Sequence, residues 1–71
     1  MRYVCVVCRR DVHPDPRGKI LVVGVTFRSD PERWVWGPEA CHRVCQSLVR
    51  TPYEDQVRDG SYVRAWQWIT A

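Results

Sequence analysis

The alternation of apolar and polar positions changes rhythm several times along the chain, and each rhythm predicts an element. RYVCVV, residues 2–7, is β-prone and leads into a pair of cysteines. RRDVHPDPRG, residues 9–18, carries the breakers HPDP and RG and reads as loop. KILVVGVTF, residues 19–27, is a nearly unbroken run rich in β-branched residues and gives the strongest strand. RSDPE (28–32) supplies a turn and RWVWG (33–37) a returning strand, so residues 19–37 read as a hairpin.

Pro38 then suits the first position of a helix, and Glu39 follows where the helix dipole favours an acid. The spacing predicts a helix over 38–50, with Cys41, Val44, Cys45 and Leu48 on one apolar stripe. Thr51 and Pro52 end it. Thr51 with Glu54 matches a capping box for a short second helix, which Gly60 stops. The tail SYVRAWQWIT (61–70) alternates and ends in β-formers, which predicts a C-terminal strand, with a short helix as the alternative. There are no internal repeats or linkers, so the chain is expected to be one α+β domain over residues 1–71.

At 71 residues, such a domain buries only about 60% of the surface of its unfolded chain, and a core that small calls for a staple. The four cysteines offer one. CVVC (Cys5, Cys8) is a C-x2-C pair, and ACHRVC adds Cys41 and Cys45 with His42 between them. The helical stripe points Cys41 and Cys45 to the core one turn apart, whereas His42 is rotated by about 100°. Thiolate is also the softer ligand. These arguments favour Cys5, Cys8, Cys41 and Cys45 as ligands of one structural Zn²⁺. His42 is the alternative ligand, since it and Cys45 are themselves an i, i+3 pair. Zinc held across such distant segments contributes on the order of 10–16 kcal/mol to folding in small zinc domains. The competing explanations are weaker. A redox C-x2-C would be followed by a helix in a βαβ context, which CVVC is not. An iron–sulfur cluster also accepts four cysteines, while buried free thiols would leave two close pairs in 71 residues to chance.

A C-x2-C knuckle, a hairpin, and two cysteines at the start of a helix resemble the treble-clef zinc finger. The C-x3-C second pair resembles the TRASH, MYM and YHS group, and also the YacG-like zinc proteins, which inhibit DNA gyrase. The resemblance covers residues 5 to about 50. It implies that Cys5 and Cys8 form the knuckle pair and Cys41 and Cys45 the helix pair. The sequence departs from these families where His42 replaces a serine, Ala40 replaces an aromatic residue, and no glycine follows CVVC.

Two further patterns bear on partners. WVW (Trp34, Trp36) and WQW (Trp66, Trp68) each place two tryptophans on one strand face. They either pack together or stay exposed as interface anchors, and Arg64 shares its face with Trp66 and Trp68. Arg9 and Arg10 follow the knuckle, and Arg43 and Arg50 share the outer face of the expected helix. These four are the candidate nucleic-acid contacts. The formal charge is +3, but four thiolates around Zn²⁺ would bring the loaded domain to about +1. That weakens a phosphate-binding role. His13, within HPDP, reads as a loop residue.

No nucleophile elbow, phosphate loop or HExxH motif is present, so no enzyme is expected. No apolar run approaches the roughly 18 residues that span a membrane, and the N-terminus lacks a secretory pattern, which points to the cytosol. The expected role is a protein-binding adaptor or inhibitor of a cytosolic enzyme, with a nucleic-acid-binding zinc finger as the alternative. The size and the excess of arginine over lysine fit a small accessory protein of a bacterium or its phage.

Overall fold

The computed structural model describes residues 2–71 as an α+β fold. In chain order it comprises β1 (Tyr3–Val4), β2 (Asp11–Val12), β3 (Lys19–Phe27) and β4 (Asp30–Cys41). A 3₁₀ helix (Arg43–Leu48), α1 (Glu54–Asp59) and β5 (Tyr62–Thr70) follow. β1 and β2 form a small antiparallel ribbon, and the other three strands form an antiparallel sheet in the order β4-β3-β5.

β3 is central because its sequence suits no other place. Residues 20–26 are all buried, which is possible only for a strand paired on both edges and covered on both faces. β5 pairs with it in unbroken register, from Lys19↔Thr70 to Phe27↔Tyr62. Paired residues share a face. Tyr62, Arg64, Trp66 and Trp68 therefore lie on the face of Phe27, Val25, Val23 and Leu21. The core gathers Ile20, Leu21, Val22 and Val23 with Ala40 and Cys41 of β4, Val12 of the ribbon and Val49.

β4 pairs with the other edge of β3 in a less regular way. Leu21, Val22 and Val23 face Cys41, Ala40 and Glu39, and the register then shifts in three steps before Phe27↔Asp30. Gly37 takes up the first shift at φ 89°, and a Cβ there would lie 2.8 Å from the Val23 carbonyl oxygen. Gly24 is required for space. A Cβ on it would stand 2.3 Å from the Trp36 carbonyl oxygen and 2.7 Å from the Trp34 ring.

The main correction to the sequence reading falls here. The helix expected from Pro38 is absent, and residues 38–41 continue β4. The left edge of β3 beside Leu21–Val23 needs backbone partners, and only this segment supplies them. Local helix-start chemistry yields to that non-local demand. The shorter 3₁₀ helix begins after His42, which is itself extended at φ −72°, ψ 144°. The supposed apolar stripe does not reach the core: Val44 is 85% and Leu48 59% exposed. A second correction is β2, which lies inside the expected loop and pairs with β1 through Tyr3↔Val12 and Val4↔Asp11.

The C-terminal part follows the sequence closely. The Thr51 N–H donates to the Glu54 carboxylate at 2.9 Å, but α1 begins at Glu54 with Tyr53 as its N-cap and no side-chain cap bond, so Thr51 does not cap it as the spacing predicts. The Thr51 hydroxyl accepts from the Tyr53 N–H. Gly60 closes α1 in the left-handed region at φ 87°, and β5 starts two residues later.

Candidate metal centre

The knuckle is built by the backbone. The Cys5 N–H donates to the Arg10 carbonyl at 2.9 Å and the Arg9 N–H to the Cys5 carbonyl at 3.0 Å, which folds residues 5–10 into a tight loop. Arg9 occupies the left-handed region, at φ 65°. This is the position where a glycine following CVVC would be at ease, so the missing glycine is compensated by a strained arginine. The Val6 N–H then donates to the Ala40 carbonyl at 3.0 Å, which docks the loop on the end of β4.

That end of β4 decides what meets the knuckle. On a strand, successive side chains point to opposite faces. Cys41 and His42 are therefore sent in different directions rather than around a shared helical stripe. Cys41 turns into the core at 1% exposure, where its thiol lies 3.2 Å from the His42 carbonyl. His42 turns toward the knuckle. The ligand atoms of Cys5, Cys8, His42 and Cys45 all lie within 4.8 Å of one another, and the Cys8 sulfur is 3.2 Å from His42 Nδ1. The structure thus gathers three of the four expected cysteines together with the alternative ligand, His42, while Cys41 stands outside the group.

The donor set fits a metal ion. Around a tetrahedral zinc, with sulfur about 2.3 Å and nitrogen about 2.0 Å from the ion, neighbouring ligands stand about 3.5–3.8 Å apart. His42 is oriented for this role. Its Nε2 lies 2.9 Å from the Asp11 backbone carbonyl. A carbonyl only accepts, so Nε2 carries the proton and Nδ1 turns its lone pair toward the sulfurs. Such a bond on the far nitrogen is how metal-binding histidines are held. Its acceptor comes from β2, the strand missed in the sequence.

The thiols carry the electrostatic mark of a crowded anionic site. Burial pushes the Cys5 thiol up, but the N–H groups of Cys8, His42 and Val7 outweigh it and bring Cys5 down to about 6. Burial, followed by Cys5 and Cys8, pushes Cys45 up to about 11. Burial and the neighbouring Cys5 push Cys41 up to about 12. One thiolate is thus welcome and the next is resisted by the first. A bound cation reverses that resistance. Cys5, Cys8, His42 and Cys45 form a cluster suited to a metal ion and typical of zinc.

The other candidate residues are dispersed. Trp34 and Trp36 are half-buried, with Trp36 packed against the core. Trp66 and Trp68 are 59% and 38% exposed, and the Arg17 guanidinium lies 5.7 Å above the Trp68 ring. Arg64 is not free beside them. It donates to the Val49 carbonyl at 3.1 Å and to the Glu54 carboxylate, tying the segment after the 3₁₀ helix to β5. Arg9, Arg10, Arg43 and Arg50 are exposed. Arg43 and Arg50 do not share a helix face, because Arg50 lies beyond the 3₁₀ helix. His13 lies exposed in the loop after β2, outside the cluster. Among the described residues, no helix is long and apolar enough to cross a membrane. Comparison with protein-family models, curated proteins and solved structures found no match.

Proposed function

We propose that the protein is a structural-zinc domain, with Cys5, Cys8, His42 and Cys45 as ligands, that acts by binding another protein as an adaptor or inhibitor. The zinc half rests on the convergence of three sulfurs and one oriented imidazole nitrogen within 4.8 Å. All four positions come from the protein, and a site closed in this way serves structure rather than catalysis. The partner half rests on the different fates of the tryptophans. Trp66 and Trp68 remain exposed on one face of a rigid strand, where large aromatic residues commonly anchor interfaces. With three thiolates and one dication the site carries −1, so the formal +3 becomes about +2, and nonspecific attraction to phosphate is modest.

A second reading, nucleic-acid binding, draws on Arg9, Arg10, Arg43 and Arg50, none of which has an ion-pair partner among the described residues. Salt dependence separates the two. A duplex binder loses affinity steeply with salt, by a slope of about −0.9 per phosphate contact, and Arg43→Glu cripples it. A protein binder depends mildly on salt and loses about 2 kcal/mol or more when a buried anchor tryptophan is truncated. Elemental analysis tests the metal directly: the expected result is one zinc per chain. Full folding without metal would overturn that half of the proposal.

A further inference from the structure

Between the knuckle and the segment after the 3₁₀ helix runs a groove of about 380 Å³. It is lined by Val6, Val7, Trp36, Leu48 and Pro52 together with Arg9 and Arg50. Among the described residues no carboxylate lines it. Among the described residues neither arginine side chain has an ion-pair or hydrogen-bond partner, although four other arginines do form ion pairs. Leu48 is 59% exposed within this apolar setting, which leaves its surface available to an incoming side chain.

We infer that this groove receives a short acidic peptide segment carrying one bulky apolar side chain. The inference rests on the protein-binding reading above and assigns it a place other than the tryptophan face. Charge complementarity selects the occupant. Two guanidinium groups without ion-pair partners among the described residues, in one groove with an apolar lining, match carboxylates beside an apolar residue, and guanidinium takes carboxylate in a two-pronged way. A nucleic acid strand fits less well. The apolar lining is mostly aliphatic, with one indole where a stacking surface would need a row of rings.

Both walls depend on the cluster. Val6 and Val7 lie between Cys5 and Cys8, and Leu48 and Arg50 follow Cys45 closely. The groove therefore has its shape only when the four ligands are held together, and docking is coupled to metal.

The test is an NMR titration of the zinc-loaded protein with three probes. These are a short peptide with leucine flanked by glutamates, the same peptide with lysines for glutamates, and a single-stranded oligothymidine. The expected result is that the acidic peptide shifts the amides of Val6, Val7, Leu48 and Arg50 while the other two do not. The exposed double variant Arg9→Glu, Arg50→Glu, verified as folded and metal-loaded, is expected to bind the acidic peptide about tenfold more weakly or worse. Chelation is expected to remove the response. Shifts centred on Trp66 and Trp68 would overturn the groove and leave the protein-binding reading standing. Preference for the oligothymidine would overturn both. No response to the acidic peptide, or an unchanged one after confirmed metal removal, would also overturn the inference.

Discussion

The two ends of β3 are held by different physics. At one end, near Lys19–Leu21, the sheet meets the ribbon, the knuckle and His42, and three thiols and an imidazole stand within 4.8 Å of one another, an arrangement that a bound cation would favour. At the other, Phe27 and Tyr53 each meet Tyr62 edge-on, with ring centroids 5.5 and 5.6 Å apart, and Arg33 lies 5.1 Å above Phe27. Arg28 reaches the Gly60 carbonyl at the end of α1. That end is held by aromatic packing and hydrogen bonds, whereas the other gathers the candidate metal ligands on the side where the groove lies.

Metal removal breaks this comparison most severely. Chelation is expected to cost stability on the scale of about 10–16 kcal/mol seen for structural zinc. Hydrogen exchange should show it first in residues 3–12 and 42–48, with the Phe27–Tyr62 region opening last. Simultaneous opening of both ends would show that they are not separable.

The next largest effect distinguishes neighbours. His42→Ala is expected to lower zinc affinity by more than the roughly 10–100-fold that follows loss of an outer hydrogen bond, in a competition titration. Cys41→Ala is expected to keep its zinc and lose about 1–2 kcal/mol from the core. The opposite pattern would return Cys41 to the ligand set. Between the ends, Gly24→Ala is expected to destabilise by about 1–3 kcal/mol in denaturant unfolding, toward the upper part of that range. The reason is that the nearest obstacle is the Trp36 backbone and not a movable side chain.

The smallest effect belongs to the cofactor-free end. The Thr51 N–H, then the Thr51 hydroxyl and Arg64, hold the Glu54 carboxyl below its ordinary value. A depressed folded value means that the stabilisation is present above the carboxyl's unfolded value and is lost as pH falls through the folded one. The melting-temperature difference between the parent and Glu54→Gln is expected to be largest near neutrality and to shrink below about pH 4. Comparing the two proteins at each pH cancels the acid lability of the metal site.

The contrast also explains what could be seen in the sequence. β3 was legible because KILVVGVTF is a nearly unbroken apolar run rich in β-branched residues. The Thr51–Glu54 contact and the Gly60 stop were legible because both are local. β4 beyond Gly37 was not: Pro38 and Glu39 carry honest helix-start chemistry, and what overrides them is pairing with Leu21–Val23, far away in the chain. The ligand question turned on the same point. Three of the four clustered donors, Cys5, Cys8 and Cys45, were apparent from spacing, but the choice between Cys41 and His42 depends on whether that spacing is wound as a helix or extended as a strand. The Asp11 carbonyl that orients His42 left no trace in the sequence, because any residue type would provide it.

The position of β5 has a consequence for the order in which the molecule is assembled. Every cluster ligand has been synthesised by Cys45, whereas the central strand waits for residues 62–70 to fill its second edge. An emerging chain that takes up a metal at this cluster would do so while one long side of β3 is still bare. Closing the sheet afterwards brings together residues as distant as Lys19 and Thr70, and pairing over such separations is slow. The metal-bound intermediate would be the species most exposed to capture by other strands. The rate of its disappearance, rather than the final stability, would then govern how much protein matures.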